Sequence, residues 1–185
     1  MPRCCCGVRY QQLEKPEDSE MVYYTEIDTL LGIMVATADE QGLRSLSFTE
    51  GDGWQGLPKD ASRDDDMPVL RDTSLQVQEY YAGTRQDFDL PLAPQGTDFQ
   101  RKVWQALQDI PFGETRSYAG LAGMIRQPTA SRAVGLANGR NPIAVIIPCH
   151  RVIGADGSLT GYAGGLRIKK ALLEIENALP QAMLL

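Results

Sequence analysis

Histidine occurs once in the 185 residues, at position 150. With a single imidazole, no Cys/His zinc spacing can be written. Long apolar runs are absent as well. The best, residues 143–147, has the length of a strand, far from the roughly 18 residues a membrane helix needs. The opening stretch, MPRCCCGVRYQQLEKPEDSE, lacks the apolar centre of a signal peptide. There is no internal repeat and no fibrous pattern. What remains is ordinary for a folded chain, 43% hydrophobic and 23% charged. It is long enough for one large domain or two small ones. The expectation is a soluble, intracellular protein.

Cations are outnumbered, 18 Lys and Arg against 24 Asp and Glu, for a net of −6. Taken whole, that argues against a nucleic-acid partner, but it hides a step. Residues 1–95 hold 8 cations against 18 anions, and residues 96–185 hold 10 against 6. Net charge thus passes from −10 to +4, which suggests two units, the second with an anionic partner. Of the four cysteines, Cys4, Cys5 and Cys6 are adjacent, and neighbours rarely reach disulfide geometry. They read as an exposed reduced tail, with metal binding or lipidation as alternatives. Cys149 stands apart, beside the only histidine.

Residues 1–20 read as a flexible leader. Residues 22–27, 32–38 and 43–48 read as short strands, with Gly32 and Glu40-Gln41-Gly42 as turn signals. The Gly-, Asp- and Pro-rich stretch 50–68 reads as a surface loop. Asp72 is the expected N-cap of a helix through Leu75, Val77, Tyr80 and Tyr81 to Gly83. A proline-bearing linker at 91–96 separates an N-terminal unit (21–90) from a C-terminal unit (97–185).

In the second unit Thr97-Asp98-Phe99-Gln100 matches a capping box, followed by Phe99, Val103, Trp104 and Leu107 at helical spacing. Pro111-Phe112-Gly113 ends that helix. Ser117 opens a second helix over 118–125, Gln127-Pro128 turns, and Thr129 caps a third over 130–137. That is a helix-turn-helix pattern. The third helix sets Ala130, Ser131, Ala133 and Gly135 around one long cation, Arg132. Such small residues allow close approach to another surface, or close packing on a neighbouring helix with Arg132 solvated. Residues 143–147 read as a buried strand and Asp156-Gly157 as a hairpin turn. Thr160 to Gly165 is a glycine-rich loop, and 166–179 a closing helix.

Pro148 should end the strand and place Cys149 at its tip. A cysteine thiol near its ordinary pKa of about 8.5 is mostly protonated at neutral pH. Reactivity therefore calls for a cation, a base or a helix N-terminus. His150 and Arg151 are candidates, although consecutive strand residues face opposite ways, so a bend or a bridging water is needed. A base needs an orienting group in turn. Ile168, Leu172, Ile175 and Leu179 form an apolar stripe with Glu176 on its flank. Glu176 reads equally as the partner of His150 or as an exposed carboxylate near a helix end.

Residues 96–176 resemble the C-terminal domain of the O6-alkylguanine-DNA alkyltransferases, the methylated-DNA–protein-cysteine methyltransferases. The matching segments are Gly96-Thr-Asp-Phe-Gln with Val103-Trp104, and Ile110-Pro-Phe-Gly-Glu-Thr-Arg-Ser-Tyr118. Arg132-Ala-Val, Asn141-Pro, Ile147-Pro-Cys-His-Arg-Val152 and Gly161-Tyr-Ala-Gly-Gly-Leu166 complete them. Residues 22–90 fit the family's N-terminal domain weakly, through Thr29-Leu-Leu-Gly and the flanking strands.

The resemblance implies an α+β fold: a small ribonuclease H-like sheet with a helix, then a mostly helical, winged-helix-like domain with a helix-turn-helix. It implies single-turnover transfer of the alkyl group from O6-alkylguanine, and O4-alkylthymine, in double-stranded DNA to Cys149. His150 would take the thiol proton through a water, Glu176 would orient and charge-balance His150, and Asn141 would brace the turn before the cysteine. Tyr118 would contact a phosphate and help protonate the departing guanine. Arg132 would fill the gap left by a flipped nucleotide, on a helix that enters the minor groove with Ser131, Ala133, Gly135 and Arg140. Cys149, Val152, Tyr162, Ala163 and Gly164 would line the base pocket. No cofactor, metal or membrane is implied, and the expected state is a cytoplasmic (or, in a eukaryote, nuclear) monomer. Small residues in the loop suggest that groups larger than methyl are accepted. The alternatives are a lesion-binding regulatory protein without chemistry, and a cysteine hydrolase, whose histidine usually lies far from the cysteine in sequence.

Overall fold

The computed structural model describes residues 21–51 and 53–179. Cys4, Cys5 and Cys6, with the rest of the expected leader, lie outside the described residues.

Strands Tyr23–Thr29 (β1), Gly32–Asp39 (β2) and Gly42–Phe48 (β3) form an antiparallel meander. The expected strands hold, each with a slightly shifted end. Gly42 sits at φ +139°, and a Cβ there would collide with the Pro91 carbonyl. That closeness lets the linker clamp onto β3: Leu43 N–H donates to the Pro91 carbonyl (2.7 Å) and Ala93 N–H to the Leu43 carbonyl (2.8 Å). Further along the strand, Leu46 N–H donates to the Pro142 carbonyl (2.9 Å) and Ala144 N–H to the Leu46 carbonyl (2.8 Å). The β3 edge is therefore covered twice, which satisfies its backbone and ties the segment before Cys149 to the sheet.

The stretch expected as loop contains a short strand, Ser62–Arg63 (β4), parallel to β1. Two residues are too few to show an alternation in sequence. The following helix, Pro68–Tyr81 (α1), begins earlier than expected. Pro68 supplies its first turn, where a missing N–H costs nothing, and the Asp64 carboxylate accepts from Met67 N–H (3.0 Å) just ahead of it. Asp72 is thus within the helix and caps nothing, and Leu75 is 55% exposed. The buried face is Leu70, Thr73, Val77 and Tyr80.

In the second half, helix Asp98–Gln108 (α2) has the full capping box: Gln100 N–H donates to the Thr97 hydroxyl, and the Gln100 side chain accepts from Thr97 N–H. Ser117 caps helix Tyr118–Met124 (α3), accepting from Gly120 N–H. The next helix, Ser131–Gly139 (α4), starts one residue later than expected, and Thr129 gives it no cap. Trp104 is 2% exposed and its indole N–H donates to the Ala137 carbonyl at the end of α4 (2.9 Å). Truncating such a side chain to alanine costs about 3–5 kcal/mol.

Residues 143–147 are a turn, not a strand; only Ile143 forms a bridge, with Leu46. Val145 takes φ +71°, which no run of β-branched residues signals, and which breaks any ladder there. Asp156-Gly157 does turn the chain, with Gly154 N–H on the Ser158 carbonyl (2.8 Å). It joins no hairpin, because Val152–Ile153 (β6) pairs in parallel with Arg116–Ser117 (β5). Helix Leu166–Ile175 (α5) ends short of residue 179. Asn177 adopts φ +54°, donating to the Glu174 carbonyl, while Ala178 N–H returns to the Leu173 carbonyl. That is a left-handed helix stop, which asparagine tolerates.

The architecture is α+β, a small sheet with one helix followed by a mostly helical half. Ile27, Leu46 and Tyr80 from the first half share one core cluster with Trp104, Val134, Ile147 and Cys149 from the second. Among the described residues no helix is long and apolar enough to cross a membrane.

Candidate active site

The cysteine is aimed by the turn that precedes it. Asn141 holds that turn from inside: its side-chain oxygen accepts from Ile143 N–H (3.0 Å), and its Nδ2 donates to the Ile147 carbonyl (2.7 Å). Ile147 N–H closes on the Ile143 carbonyl (3.0 Å). Pro148, with no N–H to satisfy, then starts a single 3-10 turn, Cys149–Arg151. Cys149 is therefore not at a strand tip. A 3-10 turn spaces side chains about 120° apart, so Cys149 and His150 escape the opposite-face geometry that a strand would impose.

Cys149 is 6% exposed and lies on the wall of a cavity of about 640 Å³. Behind it His150 is fully buried, with Nε2 2.8 Å from Glu176 Oε1. Glu176 is the C-cap of α5 and 2% exposed, so its carboxylate points inward rather than to solvent. It also accepts from Arg151 Nε (2.8 Å, Oε2), Arg151 Nη2 (3.0 Å, Oε1) and the Tyr80 hydroxyl (2.8 Å, Oε1). Burial pushes this carboxyl up, but the hydrogen bonds and charges of His150 and Arg151 outweigh it and hold it at about 2. Arg151, which further donates to the Ile110 carbonyl and sits over the Phe112 ring, balances the carboxylate. His150 is thereby left free to be neutral, and burial above all lowers its pKa. An ionised carboxylate only accepts, so Nε2 carries the proton and Nδ1 is the acceptor. Nδ1 is buried with no partner.

Burial pushes the Cys149 thiol up, while the Asn141 amide and the Lys169 ammonium pull it down. Lys169 is fully buried and donates to the Val152 carbonyl (2.6 Å) and the Thr160 carbonyl (2.7 Å). Burial brings its own pKa down to about 8. The resting thiol thus keeps its proton; the next residue carries an imidazole nitrogen able to accept one, and Lys169 is a cation able to stabilise the thiolate.

The cavity takes Tyr162, Ala163 and Gly164 from the glycine-rich loop and Asn138 from α4. Val152 and Tyr118 are not on its wall. The Val152 carbonyl holds Lys169, and a carbonyl has a second lone pair to offer. The Tyr118 hydroxyl bridges to Thr160 (3.3–3.4 Å), with the ring packed under Gly135. A Cβ at 135 would meet that ring at 3.6 Å, an ordinary contact, so the packing does not itself require glycine. On the outer face of α4, Arg132, Ala133 and Arg140 are exposed and Ser131 is half-buried. Leu136 is 67% exposed on the same helix. Arg151, basic in sequence, is buried on Glu176 and is not available to an outside partner.

Four contributors escaped the sequence. Tyr80 reaches Glu176 from α1, and its only signal is that a buried tyrosine hydroxyl needs a partner. Lys169 lies four and seven positions before Leu173 and Glu176, hence on their face, and a lysine inside an apolar stripe is a signal that was there to use. Trp54 and Phe48 line the cavity from the first half, where residues 50–68 read as plain surface. Gly53 N–H donates to the Ala163 carbonyl (3.2 Å), so that loop packs on the glycine-rich one. Among the described residues no three His, Cys, Asp or Glu side chains gather as metal ligands.

Residues 98–178 match the family described as 6-O-methylguanine DNA methyltransferase, DNA binding domain. Residues 22–94 match its ribonuclease-like domain. The chain belongs to the O6-alkylguanine-DNA alkyltransferase family. It is 48% identical over 157 residues to the methylated-DNA–protein-cysteine methyltransferase of Methanosarcina acetivorans, covering 85% of this chain and 99% of that one. It is 45% identical to the constitutive methylated-DNA–protein-cysteine methyltransferase of Bacillus subtilis, over 85% of this chain and 96% of that one. Among solved structures, Mycobacterium tuberculosis OGT in complex with DNA superposes with a TM-score of 0.77 at 44% identity, covering 87% of this chain and 97% of that one. This alkyltransferase fold therefore extends over both halves.

Proposed function

We propose that this alkyltransferase repairs DNA by moving the alkyl group from O6 of guanine to the sulfur of Cys149, once per chain. The observation that carries the reading is the buried thiol on a cavity wall, backed by His150, whose Nε2 is fixed on Glu176 and whose Nδ1 is free. The alkylated oxygen of a paired guanine lies inside the duplex, so the nucleotide must swing out, at a cost of a few kcal/mol that is least for a poorly paired base. Arg132, exposed on α4, fills the vacated stack. Ser131, Ala133, Gly135 and Arg140 lie with it along the minor groove, where the small side chains permit close approach. With no base-edge reading required by that docking, phosphate contacts give position and the lesion gives selectivity.

In the pocket, the Cys149 proton passes to His150 Nδ1 through a water. Lys169 and the Asn141 amide stabilise the thiolate, which attacks the alkyl carbon in line from about 3–3.5 Å. The S–C bond forms as the C–O6 bond breaks, and its electron pair stays on guanine. Tyr118, reached through the Thr160 contact, returns a proton to the leaving base. The product is a thioether with no carbonyl for water to attack, so the chain is spent. O4-alkylthymine is a second substrate of the same chemistry. The monomer is the working unit, and neither a cofactor nor a metal takes part.

The test is transfer of label from duplex DNA carrying labelled O6-methylguanine. Cys149→Ser is expected to abolish transfer while keeping duplex affinity within about two-fold, as read by gel shift. Label that stays on the DNA with the unaltered protein would instead favour a lesion binder without chemistry.

A further inference from the structure

Glu176 is held from both halves of the chain. Its Oε1 accepts from His150 Nε2 (2.8 Å), Arg151 Nη2 (3.0 Å) and the Tyr80 hydroxyl (2.8 Å). Its Oε2 accepts from Arg151 Nε (2.8 Å) and Gly113 N–H (3.4 Å). The two oxygens of a carboxylate offer about four lone-pair sites, so the three donors on Oε1 compete for its charge. Tyr80 is fully buried on α1, and its ring is boxed in by Tyr81, Phe88 and Phe112 at centroid distances of 5.4, 5.6 and 6.3 Å. Packing alone would be served by phenylalanine, as it is at 88 and 112. A hydroxyl in such a place is kept for its partner. Burial and the Glu176 charge both push the Tyr80 pKa up, so this hydroxyl remains a donor.

We propose that Tyr80 is a positioning residue for alkyl transfer, its hydroxyl drawing charge off Glu176 Oε1 so that His150 stays a neutral acceptor in mildly acidic solution. This rests on the reading of His150 as the group that takes the thiol proton. An ionised carboxylate favours the imidazolium form of the histidine it touches. A second donor on the same oxygen weakens that pull, because charge shared with Tyr80 is withheld from Nε2–H. The other groups around the pair are Cys149 and Arg151 on the turn of His150, Lys169 on α5 and Tyr162 on the glycine-rich loop. Burial lowers the His150 pKa most, and Arg151 and Lys169 add to it by charge. Tyr80 works in the same direction without a charge, through its hydrogen bond. The first half of the chain thereby takes part in the chemistry of a cysteine that it does not carry.

The experiment uses the fact that the chain has a single histidine, whose ring nitrogens give an unambiguous NMR signature. Unaltered protein, Tyr80→Phe and Tyr81→Phe are titrated by nitrogen NMR. The single-turnover rate on saturating O6-methylguanine duplex is measured over the same pH range. Tyr81 is the control, since its hydroxyl faces the Met34 sulfur (3.9 Å) rather than Glu176. In Tyr80→Phe the His150 titration is expected to move up by about one pH unit. The pH below which transfer falls should move up with it, while Tyr81→Phe should match the unaltered protein. An unmoved titration, an equal shift in Tyr81→Phe, or a shifted titration with an unmoved rate profile would overturn the proposal. An imidazolium at neutral pH in the unaltered protein would overturn it even if Tyr80→Phe does not fold. No transfer by the unaltered protein at any pH would instead sink the alkyl-transfer reading itself, and this inference with it.

Discussion

At the scale of single residues, the arrangement around Glu176 separates two jobs that one carboxylate might have combined. Arg151 takes the charge balance and His150 takes the geometry. Burial and the Arg151 charge pull the His150 pKa down, while the carboxylate pulls it up, so the imidazole is neutral and able to accept. Lys169 acts on the thiol itself: burial pushes the Cys149 pKa up, and the lysine charge pulls it down. With its pKa brought down to about 8, it is charged at neutral pH and loses that charge in mildly alkaline solution. Lys169→Met is expected to slow transfer at pH 7 by about ten-fold, the effect of raising the thiol pKa by one unit. The gap to the unaltered protein should narrow above pH 8, where Lys169 loses its charge and no longer differs from methionine in that respect. A gap that stays constant from about pH 6.5 to 9 would mean that Lys169 only props up the loop at Val152 and Thr160. Cys149, His150 and Glu176 were legible because rare residue types stand out: one histidine, one isolated cysteine, one carboxylate beside an apolar stripe. Tyr80 and Asn138 were not, since a tyrosine in a helix stripe and an asparagine before glycine have ordinary explanations as core and helix end.

At the scale of elements, the place of the Glu176 carboxylate depends on where α5 stops. Asn177 in the left-handed region ends the helix, and Glu176 falls at its C-cap, turned inward. Asn177→Gly should be close to neutral in denaturant unfolding. Asn177→Val should cost about 1–2 kcal/mol, because a β-branched residue pays for left-handed φ. It should also slow transfer by loosening Glu176. Equal stability of the two variants would show that the stop does not depend on that conformation. Elements with chemical punctuation were readable: the Thr97 box and the Ser117 cap are local devices, visible within four residues. Residues 143–147 were misread because their apolar, β-branched character reflects burial, whereas their path is set by the Asn141 amide and by pairing with β3, nearly a hundred residues earlier. Asp72 misled for a related reason: a good capping residue lay inside a helix that Pro68 had already begun.

At the scale of the molecule, the acidic and basic halves form one core. The sheet is not a separate appendage, since β3 pairs with the turn before Cys149 and α1 reaches Glu176. The site should therefore weaken together with the whole fold. Glu176, held at about 2 in the folded state, titrates near 4.3 when unfolded. Between those values the unfolded chain binds the proton first. The stability that Glu176 contributes is present above about pH 4.3 and is lost as pH falls towards 2. Unfolding free energy should drop across that window in the unaltered protein, with a shallower slope in Glu176→Gln; matching slopes would mean that other carboxylates carry the acid sensitivity.

Alkyl transfer to Cys149 is tested most directly by the intact mass of the protein after incubation with duplex DNA carrying O6-methylguanine, followed by peptide mapping. It predicts a gain of one methyl group per chain, located on the peptide that contains Cys149, with no second gain however long the incubation. An unchanged mass, or a methyl group on any other residue, would contradict it.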